Sequence, residues 1–144
     1  MMKWIDLPPV WTIAALGLTW LMPITAPWGP ATLPGRIALG AAALLIAASL
    51  FEFMRARTTV IPREAPSALI TTGIFRLSRN PIYLADVLIL AGLVLRWDAV
   101  LSLALVPLLF WVLETRFVIP EENRLRRHFR ADFARYAQKT RRWL

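Results

Sequence analysis

The stretch IALGAAALLIAASLFEF, residues 37–53, contains one charged side chain, that of Glu52, and it decides the class of the fold. An α-helix rises by about 1.5 Å per residue, so a stretch of this length covers most of the roughly 30 Å of hydrocarbon in a bilayer. Because lipid offers no partner to backbone N–H and C=O groups, the stretch is predicted to cross the bilayer as a helix. Similar, largely apolar stretches occupy residues 10–26, 81–97 and 99–119. We therefore expect an all-α, polytopic membrane protein with about four transmembrane helices.

Composition supports this class and excludes several functions. The chain has 144 residues, 58% of them hydrophobic, and a mean hydropathy of +0.54, whereas soluble domains are about 45–50% apolar. This length predicts a single domain, 1–144. The absence of cysteine excludes disulfides and thiolate chemistry, and a lone histidine, His128, argues against a metal site or a Ser-His-Asp triad. No metal is expected.

The basic residues predict the orientation of the protein. The formal net charge is +8, and of the 17 lysines and arginines only Arg36 and Arg96 lie outside the N-terminus, the segment 55–80 and the chain from residue 116 onward. Positive residues concentrate on the cytoplasmic side, so both termini and the segments 55–80 and 120–144 are predicted to be cytoplasmic. Anionic lipid head groups, rather than nucleic acid, are the expected counterions. The first stretch lacks a small-residue cleavage site and is expected to remain in place.

The C-terminal segment has a pattern of its own. Leu125, Phe129, Phe133 and Tyr136 are spaced to share one face of a helix, and arginines occupy much of the remaining circumference. This pattern is typical of an amphipathic helix that lies in the membrane interface with its apolar face toward the lipid. For the individual arginines, lipid anchoring alone is the simpler interpretation.

The run SRNPIY at residues 78–83 precedes the third stretch. Asparagine followed by proline is a frequent helix start, with Asn80 as N-cap and Pro81 at the first helical position, and this would explain the pair structurally. The same start directs free backbone N–H groups and the positive end of a helix dipole toward the cytoplasm, beside Arg79. That arrangement can bind a carboxylate or a phosphate.

A pair of glutamates, Glu121 and Glu122, follows the fourth stretch. Acidic residues in a first helical turn complement the helix dipole, which is the structural interpretation. However, two adjacent carboxylates at a surface rich in anionic lipid repel each other unless a cation or sugar hydroxyls engage them. The pair is therefore also a candidate ligand-binding site.

Three acidic residues, Glu52, Asp86 and Glu114, fall within the apolar stretches. Such residues are costly in a membrane and usually face a bundle interior or a polar cavity. Glu114 lies seven residues before Glu121, and Asp86 lies three residues after Tyr83, so each shares a helix face with its partner. Each cytoplasmic motif thus continues into the membrane as a polar stripe, which predicts a cavity open to the cytoplasm.

With these motifs in view, the chain resembles the membrane-embedded methyltransferases, a group that includes isoprenylcysteine carboxyl methyltransferases and phospholipid N-methyltransferases. The resemblance rests on TTGIFRLSRNPIY at 71–83, PEENRL at 120–125 and FRADFARYAQKTRRWL at 129–144, and it extends over residues 58–144. Asn80 stands where the eukaryotic isoprenylcysteine enzymes have histidine. The phospholipid enzymes and the bacterial members often have asparagine at this position.

The resemblance implies a helical enzyme that uses S-adenosyl-L-methionine at the cytoplasmic end of its helices. It also implies an acceptor drawn from the membrane, such as a lipid or a small lipophilic carboxylate or amine, and for a bacterial member it implies the inner membrane. A carboxylate acceptor needs no base, whereas an ammonium must first lose a proton. The candidate catalytic residues are Arg79 and, as a base, Glu114 or Asp86, between which the sequence does not choose. The implied cofactor-binding residues are Arg79, Asn80, Pro81, Tyr83, Glu121 and Glu122.

The cofactor's chemistry agrees with these residue types. It presents a carboxylate, which requires a cation, an ammonium and ribose hydroxyls, which require anions, and an adenine, which requires an apolar slot. Three other functions stay open: an NADPH-dependent enzyme like the membrane sterol reductases, whose signature run is similar to RNPIYLAD at 79–86; a non-catalytic membrane protein; and a small transporter.

Overall fold

The computed structural model describes residues 7–21, 32–61 and 66–144, and within these ranges it is helical and has no strand. The helices are α1 (Pro8–Leu21), α2 (Thr32–Ala56), α3 (Pro81–Arg96), α4 (Leu105–Leu113) and α5 (Ile119–Lys139). Short 3₁₀ turns at Gly73–Arg76 and Val100–Ala104 precede α3 and α4. The all-α prediction is confirmed for these residues. Residues 22–26 of the first predicted span, Lys3 and Arg63 lie outside them.

Two helical stretches are long and apolar enough to cross a bilayer. They are Thr32–Ala56, with a mean hydropathy of 2.1, and Leu101–Lys139, with 1.8 in its most apolar window, whereas Pro8–Leu21 is apolar but shorter. Only 17% of the apolar window of the first stretch is buried within the protein, so most of its surface is free to face lipid. These features support a membrane protein, and the count of four spans stays a prediction.

α2 and α3 pack closely and antiparallel through two glycines. A Cβ atom added to Gly35 would lie 2.6 Å from the carbonyl oxygen of Gly92, and one added to Gly92 would lie 2.8 Å from Cγ of Leu39. Small residues at such a crossing let two backbones approach, which favours helix association in a membrane. The crossing brings the last turns of α2 beside the segment that leads into α3. There the Glu52 carboxylate accepts a 2.5 Å hydrogen bond from the Thr72 hydroxyl.

The apolar core lies where α1, α3 and α4 meet. Its fully buried side chains include Leu90 and Val94 of α3 and Leu113 at the end of α4, and α1 contributes Ala15. Because α3 is enclosed by its neighbours over most of its length, its N-terminus is held in a fixed position. The residues that open α3 therefore form a rigid edge of the structure.

α4 and α5 form one continuous helical rod, joined by a π-helical turn at Glu114–Val118. The sequence predicted a span that ends at residue 119 and a separate helix after it. Proline lacks the N–H that an α-helical hydrogen bond requires, but the wider π turn just before Pro120 accommodates that loss. The helix therefore continues from the apolar region past Pro120 into the C-terminal segment, as far as a kink at Arg130.

The C-terminal apolar face is not left open to lipid as predicted, and the interfacial placement of the helix itself stays a prediction. Phe133 and Tyr136 are buried against Ile70 and Phe75 of the segment before α3, so this face is covered by protein. The Tyr136 hydroxyl also donates a 2.6 Å hydrogen bond to the carbonyl oxygen of Phe75. The physical reason is that residues 66–76 supply apolar side chains of their own, and α5 bends over them at Arg130, where φ is 42°.

Candidate functional site

α3 begins at Pro81 as predicted, but the Asn80 side chain does not cap the helix. Its Nδ2 atom instead donates to Oε1 of Glu122, at 3.2 Å, and to the carbonyl oxygen of Arg142, at 3.1 Å. The backbone N–H of Asn80 donates to the Ser78 hydroxyl at 3.1 Å. Asn80 therefore occupies the predicted N-cap position without capping through its side chain, and its amide connects the start of α3 to Glu122 and the C-terminal tail.

Glu122 lies at the centre of a buried polar network. Its side chain is 4% exposed, and Oε1 faces the amide of Asn80 and, at 3.5 Å, the Nε atom of Arg79. Oε2 accepts hydrogen bonds from the Nε and Nη2 atoms of Arg142 at 3.2 and 3.0 Å. Both carboxylate oxygens of Glu122 are thus already engaged by protein donors.

Glu121 is in a different environment. Its Oε2 atom accepts a 2.6 Å hydrogen bond from the Tyr83 hydroxyl, and this is the one hydrogen bond that its carboxylate makes with a described residue. Burial raises the pKa of Glu121, whereas the bond from Tyr83 and the nearby charge of Arg124 lower it. The two adjacent glutamates cannot be distinguished from the sequence, but they differ in structure. The carboxylate of Glu121 has more hydrogen-bonding capacity free for a ligand than that of Glu122.

Arg79 has few protein partners. Among the described residues its guanidinium has one close carboxylate, Oε1 of Glu122, and its Nε atom is buried without a well-formed hydrogen bond. Its charge also lies 6.0 Å from the ring centre of Phe133, within the range of a cation–π contact. Glu122 and Phe133 thus position the guanidinium of Arg79, and it still has N–H groups that can donate hydrogen bonds to a ligand.

Arg142 is the site residue that the sequence analysis missed. Its Nη1 atom contacts Oε1 of Glu114 at 3.1 Å, while the rest of the guanidinium binds Glu122. The indole of Trp143 also donates to Glu114, at 3.4 Å, and its ring packs 4.4 Å from that of Phe110. Arg142 belongs to the run at 129–144 that carries part of the resemblance, but nothing distinguished it there from the other arginines of a basic tail, which the positive-inside rule already explained.

Asp86 lies one helical turn beyond Tyr83 in α3, apart from this network. Its residue is 8% exposed, and its Oδ2 atom is buried with no hydrogen-bond partner among the described residues. The structure thus separates the three acidic residues of the apolar stretches. Glu52 binds Thr72, Glu114 binds Arg142, and Asp86 keeps an unpaired oxygen.

A cleft joins these polar groups to an apolar surface. Its polar lining includes Arg79, Asn80, Glu121 and Glu122, and its apolar lining includes Phe53, Leu69, Ile70, Phe75, Leu125 and Phe133. It is narrow: its cavity volume is about 80 Å³, below the roughly 300–1,000 Å³ that is usual for small-molecule sites. Like those sites, it combines apolar walls with a few polar groups.

The polar lining offers a cation and anions within one cleft. The described residues contain no group of three histidine, cysteine, aspartate or glutamate side chains that could hold a metal ion. A ligand that carries both charges and an apolar ring system would match the lining.

Comparison with known proteins gives one match. The family model described as phospholipid methyltransferase (PEMT) matches residues 34–132, which is more than half of the chain. No curated protein and no solved structure matches. The matched range contains the run from Arg79 to Tyr83 and the glutamate pair, and it ends before Arg142.

Proposed function

Because the chain belongs to the phospholipid methyltransferase family, we propose that it transfers a methyl group from S-adenosyl-L-methionine to an acceptor held in the membrane. The acceptor is a lipid or another lipophilic molecule with a carboxylate or an amine, and it is methylated at the cytoplasmic face of a bacterial inner membrane. The observation that carries the proposal is the cleft that places Arg79 and Glu121 on one apolar-walled surface.

The residues of the cleft match the chemical groups of S-adenosyl-L-methionine, and this match does not depend on the family assignment. Nε of Arg79 is buried without a well-formed hydrogen bond among the described residues, and the guanidinium faces the cleft beside the start of α3. A planar guanidinium and the positive end of a helix dipole together suit a carboxylate. Arg79, supported by Asn80 and Pro81 at the helix start, would hold the carboxylate of the donor.

Glu121 is the residue best suited to the ammonium group or the ribose hydroxyls of the donor. Its carboxylate lines the cleft and has one protein hydrogen bond, from the Tyr83 hydroxyl, which fixes its orientation. Glu122 lines the same cleft, but its two oxygens already bind protein donors. The apolar side of the cleft, which includes Ile70 and Phe75, would take the adenine ring.

When bound, S-adenosyl-L-methionine supplies a methyl group activated by its sulfonium. The protein's share of the chemistry is then positioning and exclusion of water, because the positive charge disperses during transfer and a dry site favours that change. The apolar wall of the cleft would keep water from the site.

Asp86 and Glu114 are the two candidate bases that could activate the acceptor, and their environments differ. An amine acceptor that is protonated to an ammonium must lose a proton before its nitrogen can attack the methyl group, and a carboxylate acceptor need not. Glu114 is held by Arg142 and Trp143, whereas Asp86 keeps an unpaired carboxylate oxygen close to Tyr83. For an amine we therefore propose Asp86 as the base.

Calorimetry of the purified protein in detergent tests the proposal. We expect S-adenosyl-homocysteine, the product of methyl transfer, to bind with a 1:1 stoichiometry, and NADPH, the cofactor of the membrane sterol reductases, to produce no saturable heat. Saturable binding of NADPH without binding of S-adenosyl-homocysteine would replace the methyltransferase assignment by the reductase alternative.

A further inference from the structure

The C-terminal segment is built into the edge of the proposed site. The carbonyl oxygen of Arg141 accepts the backbone N–H of Arg79 at 3.0 Å, and the carbonyl oxygen of Arg142 accepts the amide of Asn80 at 3.1 Å and the Ser78 hydroxyl at 3.3 Å. Thr140 adds a bond from its hydroxyl to the carbonyl oxygen of Arg76, at 3.4 Å. The tail therefore runs alongside the residues that open α3.

The guanidinium of Arg142 forms an ion pair with Glu122 and neutralises its charge. It donates two hydrogen bonds to Oε2 of Glu122 and a third to Oε1 of Glu114. Arg79, the other cation beside Glu122, approaches Oε1 only to 3.5 Å and makes no well-formed hydrogen bond to it. Of the two arginines beside Glu122, Arg142 donates hydrogen bonds to it, whereas Arg79 forms only a looser ion pair.

We propose that Arg142 is a positioning residue for methyl-donor binding: by satisfying Glu122 it leaves the guanidinium of Arg79 available to the carboxylate of the donor. This inference rests on the proposed function of the cleft. Without Arg142, the nearly buried carboxylate of Glu122 would have Arg79 as its nearest cation. Because a buried carboxylate requires a partner, the two would pair closely and Arg79 would be withdrawn from the ligand.

Glu114 takes part in the same arrangement. It binds the remaining arm of Arg142 and the indole of Trp143, so it holds the guanidinium in the orientation that serves Glu122. Lysine at position 142 would carry the charge but could not span both carboxylates in this way, because it lacks the planar fork of arginine.

The test compares the variants Arg142→Gln and Arg142→Lys with Arg141→Gln, a neighbouring control whose exposed side chain makes no described contact with the site. Two ligands are titrated in one detergent: S-adenosyl-homocysteine, and 5′-methylthioadenosine, which lacks the amino-acid part. Arg142→Gln should weaken S-adenosyl-homocysteine by about tenfold or more, the size of one charge-assisted hydrogen bond, and leave 5′-methylthioadenosine within about twofold. Arg142→Lys should be intermediate, and Arg141→Gln should match the wild type.

A second substitution separates positioning from a merely structural role. If Arg142 acts through Glu122, the double variant Arg142→Gln/Glu122→Gln should recover most of the affinity for S-adenosyl-homocysteine, because a neutral side chain no longer captures Arg79. A purely structural Arg142 would lower the affinity for both ligands, and the double variant would be as weak as Arg142→Gln or weaker. Thermal melting of each protein checks that it is folded.

The outcomes distinguish this inference from the function on which it rests. Equal affinities in the wild type and Arg142→Gln, or no recovery in the double variant, would overturn the role of Arg142 and leave the methyltransferase assignment intact. Tighter binding by Arg142→Gln would also overturn it, since Arg142 would then compete with the ligand for Glu122. A wild-type protein that does not bind S-adenosyl-homocysteine would overturn both.

Discussion

Glu121 and Glu122 are adjacent in sequence, but the structure indicates that only Glu122 contributes strongly to stability. Replacing Glu122 by glutamine removes the negative charge that binds Arg142. In this ion pair the Glu122 side chain is 4% exposed and the Arg142 side chain is 34% exposed. Breaking a fully buried pair from one side costs about 3–5 kcal/mol, and partial exposure of Arg142 lowers the expected cost to about 2–3 kcal/mol. For a protein of this size, the midpoint of thermal unfolding should fall by roughly 4–12 °C.

The matched change Glu121→Gln should leave the unfolding midpoint within about 2 °C of wild type. Glutamine keeps an oxygen to accept the Tyr83 hydroxyl, and burial already disfavours the charged form of Glu121. The assay is thermal unfolding of both variants and the wild type in one detergent, without ligand. Equal shifts for the two variants, or a larger shift for Glu121→Gln, would refute the division of roles between the glutamates.

Three further predictions follow from single contacts. Arg79→Lys should weaken S-adenosyl-homocysteine by about tenfold in calorimetry, because lysine keeps the charge and loses the fork that holds a carboxylate through two bonds; unchanged affinity would remove Arg79 from the site. Gly92→Ala should destabilise the protein by about 1–3 kcal/mol, since its Cβ would meet α2, whereas Gly40→Ala, with nothing within 4 Å, should not; equal thermal midpoints would contradict the close crossing. Tyr83→Phe should bind S-adenosyl-homocysteine worse than wild type by a factor that shrinks as the pH rises, because the hydroxyl lowers the pKa of Glu121 and its loss keeps that carboxyl protonated to higher pH; a factor independent of pH would contradict this coupling.

The sequence predicted the elements of the fold better than the contacts between them. Hydropathy placed the apolar helices, and the Asn80-Pro81 pair correctly predicted where α3 begins. It did not predict that α4 continues into α5, because a proline after an apolar stretch usually marks a break, and the π turn that accommodates Pro120 has no recognised sequence signal here. The C-terminal apolar face was assigned to the membrane because its spacing is the same whether lipid or protein covers it.

The candidate site was predictable where residues form local motifs and unpredictable where the chain returns from a distance. The run from Arg79 to Tyr83 and the glutamate pair were identified together. The structure brings Arg79, Asn80 and both glutamates to one cleft, and Tyr83 joins it only through its hydrogen bond to Glu121. Arg142 was missed because its role depends on the tail folding back to the start of α3. Neither the periodicity of apolar residues nor the distribution of charges predicts that contact. The unequal environments of Glu121 and Glu122 likewise arise from side chains on other helices.

Methyl transfer itself tests the central claim most directly. Membranes that contain the wild-type protein, the variant Arg79→Ala, or the control Arg141→Gln would be incubated with S-adenosyl-L-methionine labelled in its methyl group, and the extracted lipids would be analysed by mass spectrometry. We expect labelled lipid or another labelled lipophilic product with the wild type and the control, and a loss of at least about tenfold with Arg79→Ala. Labelling that is the same in Arg79→Ala as in the wild type, or no labelled product above that of membranes lacking the protein, would contradict the proposed site and activity.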